Sequence, residues 1–271
     1  MARPSLPGSF LAASSTGQLA WPGPVSPARS SPRRRPGSWH GPALSPRLVP
    51  RRVVDRAAGC KNGWVQDLLE AWDALLARHT SHTGDVAVAG QALLARWAEP
   101  HRRYHDLAHL RAILASVEEL SGYAADADAV RLAAWYHDAV YAGRSDDEER
   151  SAQLAESDLA ALGVDADLVA EVARLVRMTL EHNPAAGDTN AEALSDADLA
   201  GLALPRELYQ RNSALIRQEY AHVSDADFRA ARARVIEALL AGPGLYRTPL
   251  ARREWEARAV ANMNAELASL R

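Results

Sequence analysis

Residues 126–141 read Asp-Ala-Asp-Ala-Val-Arg-Leu-Ala-Ala-Trp-Tyr-His-Asp-Ala-Val-Tyr. The apolar run Val130–Tyr136 predicts a buried helix over Asp126 to Tyr141, closed by Gly143. The run ends in a polar doublet, His137-Asp138, and a polar pair behind apolar turns is expected to face an interior cleft. Successive helical residues point about 100° apart, so both side chains can reach one point only near a helix end. An aspartate at a helix C-terminus opposes the dipole, and a nearby cation removes that penalty.

Outward from this stretch the same texture runs from Trp64 to the C-terminus. Leu, Ala and Val recur at intervals of three and four, broken by short Gly, Pro or Asp punctuation. The spacing predicts helices over Trp64 to Arg78, Asp85 to Ala98, Tyr104 to Leu120, Asp146 to Leu162, Asp165 to Glu181, Pro205 to His222, Ser224 to Ala241 and Pro249 to Leu270. Gly163 ends the helix from Asp146, Pro100 follows the one from Asp85, and Ser224-Asp-Ala-Asp227 resembles a capping box. No segment alternates with period two over a useful length, so strands are not expected. The fold class is therefore all-α, in a domain of roughly 205 residues that is large enough for a sizeable core.

Upstream the composition changes. Residues 1–62 hold ten of the 15 prolines, ten of the 31 Lys and Arg and one of the 34 Asp and Glu, a net charge of +9; that leaves 21 bases and 33 acids, or −12, from residue 63 onward. Rich in Pro, Ser, Gly and Arg, this head cannot bury enough apolar surface to offset its chain entropy and is expected to be disordered. Two regions follow, a basic extension at 1–62 and a folded domain at 63–271. Arg33-Arg34-Arg35 and Arg51-Arg52 could touch nucleic acid or an anionic surface, and the head has some transit-peptide character. Lacking an amphipathic helix or an aromatic platform, it reads most simply as an extension with no part in the fold. No apolar run approaches the ~18–20 residues a bilayer span needs, so no membrane association is expected. The single cysteine, Cys60, allows no internal disulfide and fits a reducing, cytoplasmic location. The acidic balance of the folded part argues against nucleic acid as its partner.

Several chemistry-bearing residues accompany the doublet. His105 and His109, four apart, are expected on one helix face, where they could hold one metal or supply one ligand and its supporting partner; such pairs more often serve as surface or hydrogen-bonding residues. His182 near a helix end is either a ligand or a cation favoured by the dipole. Asp196-Ala-Asp198 either contributes a ligand or begins a helix, with Asp196 capping and Asp198 in the first turn. Imidazole nitrogen with carboxylate oxygen suits a divalent transition metal.

The ordered series His, His-Asp, Asp on consecutive helices resembles the HD superfamily of metal-dependent phosphohydrolases, and within it a bacterial subgroup of predicted phosphohydrolases. The residues that carry the resemblance are Glu99-Pro-His-Arg-Arg-Tyr-His105-Asp-Leu-Ala-His109, Ala133-Ala-Trp-Tyr-His137-Asp138-Ala-Val-Tyr141, Asp147-Glu-Glu-Arg-Ser-Ala152, Thr179-Leu-Glu-His182 and Leu194-Ser-Asp196-Ala-Asp198-Leu199. Two later segments, Ile216-Arg-Gln-Glu-Tyr220 and Leu245-Tyr-Arg-Thr248, also look familiar, and the likeness covers Trp64 to the C-terminus. It implies an HD-type helical bundle that holds one divalent ion (Mn, Mg, Fe, Co or Ni). Its first histidine falls on His105, with His109 as the alternative or supporting residue. The doublet falls on His137 and Asp138, and the distal aspartate on Asp198 in preference to Asp196. His182 is the one further imidazole between doublet and distal aspartate.

The implied reaction is hydrolysis of a small phosphorylated substrate, a phosphomonoester, nucleotide or phosphodiester, by a metal-activated water. Asp138, Glu149 and Arg150 form the expected catalytic group. Arg102 and Arg103 are further phosphate-binding candidates, and Glu148 is an alternative to Glu149 for orienting water. Each of these arginines and glutamates could equally be an ordinary solvated charge. Two other classes compete: an HD-fold di-iron oxygenase, and a non-catalytic module that binds a nucleotide or a protein.

Overall fold

The structure is a computed structural model that describes residues 61–271. The expectation of a disordered extension at 1–62 therefore lies outside the described residues, save for Lys61 and Asn62, which open the first helix. Among the described residues the chain is all-helical, with eleven α-helices, one 3₁₀ turn and no strand. In order these are α1 (Lys61–Leu76), α2 (Thr83–Trp97), α3 (Leu107–Leu120), α4 (Ala127–Tyr136), α5 (Asp147–Ala161), α6 (Ala166–Met178), α7 (Thr189–Leu199), the 3₁₀ turn (Ala200–Ala203), α8 (Arg206–Glu219), α9 (Asp225–Ala241), α10 (Pro249–Glu254) and α11 (Glu256–Leu270).

The predicted helices form, with instructive differences at their ends. Helix α3 starts at Leu107, because the side chain of Asp106 caps it by accepting from the amide of Ala108. Helix α4 stops at Tyr136, so the doublet lies just past its end. The long C-terminal segment breaks at Trp255 into α10 and α11. Ser224 caps α9 as its sequence suggests, accepting from the amide of Asp227. Gly163 follows α5 with φ of 73°, a left-handed conformation that glycine adopts without a Cβ penalty.

Helix α7 escapes periodicity analysis. Every residue from Ala191 to Ala197 is buried, so the helix shows no polar face and no amphipathic stripe. It is also where a sequence expectation fails. Asp196-Ala-Asp198 does not begin a helix; Asp188 caps α7 and the two aspartates lie in its last turn.

The main core joins α1 to α7. Helix α4 is its centre and packs against α3, α5, α6 and α7. Trp72, Trp97, Trp135 and Tyr136 are all but fully buried, each ring contributing roughly 4–6 kcal/mol by area. Their polar edges are satisfied: the indole N–H of Trp72 donates to the carbonyl of Val86, and that of Trp97 to the carbonyl of Trp135. Gly90 lets α2 lie against Trp72, since a Cβ there would meet the indole at 2.5 Å. A second apolar cluster, including Tyr209, Ile236, Tyr246 and Met263, joins the 3₁₀ turn to α8–α11. The C-terminal ends of α4, α7 and α8 come together near the start of α3, which places four sets of motif residues around one cavity.

Candidate metal centre

The turn after α4 brings the doublet to one point. The Nε2 of His137 lies 3.3 Å from Oδ2 of Asp138, an approach open to neighbouring residues because the helix has ended. The Nδ1 of His137 lies 2.9 Å from the carbonyl of Ala134, which turns Nε2 toward the cavity. From α3, Nε2 of His109 approaches to 3.4 Å of the same nitrogen. From the end of α7, Oδ1 of Asp198 lies 3.3 Å from His109 Nε2 and 3.5 Å from His137 Nε2. The other oxygen of Asp198 lies 3.2 Å from Nε2 of His182.

His109, His137 and Asp138 form a buried group that could hold a metal ion. The donor chemistry fits a divalent cation. Two imidazole nitrogens 3.4 Å apart, the buried carboxylate of Asp138 and the half-buried one of Asp198 need positive charge among them, since carboxylates withdrawn from water without a partner are costly. The electrostatics of the cluster reflect that demand. Burial disfavours the charged imidazole of His137, yet Asp138 and Asp198 outweigh it and hold its pKa well above the usual value. Burial would likewise raise Asp198, but His137, His109 and His182 draw it well below the normal carboxylate range.

The backbone of His182 is strained. It is the one non-glycine residue with positive φ among the described residues, at 48°. A left-handed conformation at a bulky residue persists only where its surroundings impose it. Here the ring is held between Asp198 and Ser195, whose Oγ lies 3.4 Å from Nδ1.

His105 is not on the helix face expected from its spacing to His109, because it precedes the Asp106 cap of α3. Its Nε2 lies 4.0 Å from Oδ2 of Asp138, and its Nδ1 lies 2.7 Å from Oε2 of Glu219 at the end of α8. His109, the alternative, is the residue that joins the doublet. Glu219 carries no role assigned from the sequence, although it lies in the segment Ile216–Tyr220 that shares in the resemblance. Its side chain is 2 % exposed. Oε1 accepts the amides of Arg103, Tyr104 and His105 at 2.7–2.9 Å, and Oε2 also accepts the hydroxyl of Tyr141 at 3.2 Å. Burial opposes ionisation of Glu219, but His105 and these amides lower its pKa to about 2. The same contact raises the pKa of His105 despite the ring's burial.

Asp196 stands apart from the cluster. In a helix, residues two apart point about 200° away from one another, so Asp196 and Asp198 leave α7 on opposite sides. Asp196 accepts the amides of Arg247 at 2.8 Å and Thr248 at 2.7 Å. Its lone pairs are spent on the loop that begins α10, and it is not placed to be a ligand.

The four residues Asp147–Arg150 divide by helix geometry as well. Asp147 accepts the amides of Ala142 and Arg144, and Ser151 accepts the amide of Val140; together they hold the loop after the doublet. Glu148 is buried and lines the cavity. Glu149 and Arg150, the expected catalytic pair, are exposed. Glu149 is bound by Arg177, which lowers its pKa to about 2, and Arg150 comes no nearer than 3.9 Å to Asp147. Arg102 does not face the cavity either. Buried between the rings of Trp97 and Tyr141, it donates to the carbonyls of His105, Asp138 and Ala139 and so fixes the backbone of the doublet. The side chain of Arg103 is exposed.

Compared with protein-family models, with curated proteins and with solved structures, the chain matches none.

Proposed function

We propose that the protein is a divalent-metal-dependent phosphohydrolase of the HD type. The observation that carries this reading is the convergence of His109, His137, Asp138 and Asp198 on one cavity that also holds Glu148 and His105. The resemblance of the ordered His, His-Asp, Asp series to HD phosphohydrolases supports it.

In this reading His109, His137, Asp138 and Asp198 hold the ion, with His182 on the second oxygen of Asp198. When bound, a divalent ion supplies an acidified water and polarises a phosphoryl oxygen. The protein's own residues do the rest. Trp97 lies against the rings of His137 and His109 and excludes water from behind them. Glu148, a buried carboxylate in the cavity wall, would take up a proton from water held there. His105 is oriented by Glu219, so that its Nε2 faces the cavity and donates to an oxygen of the substrate as charge builds there.

Glu219 is thus a positioning residue, and a Glu219→Gln change tests it. The amide oxygen preserves an acceptor for the three backbone amides, while the amide N–H₂ replaces the oxygen facing Nδ1 of His105. The ring then carries its single proton on Nε2 and no positive charge. Turnover is expected to fall by roughly 10–100-fold, the cost typical of losing such an orienting partner. The ¹⁵N signals of His105 should move to those of a neutral ring with Nδ1 unprotonated. Unchanged ¹⁵N signals and unchanged turnover would remove Glu219 from this role.

The activity itself is tested by offering phosphomonoesters, nucleotides and phosphodiesters to the full chain with Mn²⁺, Mg²⁺, Co²⁺ or Ni²⁺. Hydrolysis that requires the metal and disappears in His137→Ala is expected. Absence of such turnover across the panel would end the phosphohydrolase reading.

A further inference from the structure

The cavity is not lined by imidazoles and carboxylates alone. Its wall also includes five aliphatic side chains, Leu199 and Leu202 from the end of α7 and the 3₁₀ turn, Ile216 from α8, and Val235 and Leu239 from α9, against two hydroxyl-bearing ones, Tyr104 and Thr179. The lining includes one guanidinium among the described residues, that of Arg232, and it is already committed. Its Nε and Nη2 donate to the carboxylate of Glu266 at 2.8 and 3.1 Å. The cavity is also small, at about 120 Å³, against the ~300 Å³ at which sites for larger organic ligands begin.

We infer that the ligand of this site is a small anion bearing a compact apolar group, of the short-chain alkyl phosphate class. The identity of the head group rests on the phosphohydrolase reading; the nature of the tail rests on the aliphatic wall. A ribose laid against the five aliphatic side chains would lose roughly ten- to a hundredfold in affinity for each hydroxyl left unpaired there. A second phosphate would need a free cation, and Arg232 is neutralised by Glu266. A hydrocarbon tail gains by burial against the same wall. On α9, Val235 and Leu239 are four residues apart and share a helix face, so both can contact one tail.

Alkylphosphonates, which carry the head group but resist hydrolysis, supply the test. Their binding to the Mn²⁺-supplemented full chain is measured by calorimetry from methyl- to butylphosphonate, with adenosine 5′-monophosphate for comparison. Each buried methylene is expected to tighten binding about fourfold, so butylphosphonate should bind at least tenfold more tightly than methylphosphonate and more tightly than the nucleotide. The Leu202→Ser/Leu239→Ser double variant, both half-buried positions, should reduce the gain to under threefold. Equal binding along the series, tighter binding of the nucleotide, or no phosphonate binding overturns the inference, as does a full gain in the double variant. Phosphate release from butyl phosphate, followed in parallel, separates the two conclusions. A chain-length gain without phosphate release leaves the apolar-tail assignment standing and removes the hydrolase.

Discussion

Asp138→Ala should abolish stoichiometric divalent-metal binding and, with it, turnover, while leaving a folded chain. The main chain at this position does not depend on the side chain: the carbonyl of Asp138 accepts from Arg102 whatever residue stands there. Removal of the carboxylate relieves a negative charge that opposes the dipole at the C-terminus of α4 and loses a pairing with His137, beside which Asp198 remains. What disappears is the oxygen 3.3 Å from His137 Nε2 and half of the negative charge that draws a cation to the cluster. Wild-type protein with Mn²⁺ at a hundred times its Kd should gain about 2.7 kcal/mol over the chelated protein, or roughly 5–10 °C in melting temperature for a domain of this size. The variant should gain nothing measurable, and its affinity should fall by at least ~10²-fold. Metal content and thermal gain equal to wild type would show that the ion, if any, sits elsewhere.

The second large effect is on stability and separates two aspartates that look alike in sequence. Asp196→Ala removes the acceptor for two amides, Arg247 and Thr248, at a fully buried position. Each buried donor left unpaired costs ~1–3 kcal/mol, so a loss of about 3 kcal/mol and roughly 6–12 °C is expected. Mn²⁺ affinity should stay within about threefold of wild type, because this carboxylate points away from the cluster. Asp198→Ala should show the reverse pattern, with metal binding lost. If Asp196→Ala lost the metal and kept its melting temperature, the two roles assigned here would be exchanged.

Much of the helical layout is legible from residue spacing. Helices α1 to α6 and α8, α9 and α11 carry apolar residues at three- and four-residue intervals, and their caps at Asp106, Asp126, Asp165 and Ser224 are residues that favour caps. Helix α7 is not legible in this way, because burial on all sides removes the contrast that periodicity detects. The doublet signals a site through its polarity behind an apolar run. Choices between near neighbours cannot be made along the chain: Glu148 or Glu149, Asp196 or Asp198, His105 or His109. Each depends on where a helix starts or which way one side chain leaves it, and a shift of one or two residues redirects a side chain by 100–200°.

The amino-acid sequence by itself determined the helical class, the change in character near residue 62 and the inventory of histidines and aspartates able to bind a divalent ion. Local forces suffice for these, since helix periodicity, capping and ligand chemistry act over a few residues. Only the tertiary structure decided that His109 rather than His105 joins the doublet, that Asp198 faces the cluster while Asp196 anchors a loop, and that Glu219 orients His105 from 114 positions away. These outcomes depend on the packing of α3, α4, α7 and α8. Groups a few ångströms apart in the fold are separated by tens of residues in the chain, and no local pattern encodes that approach.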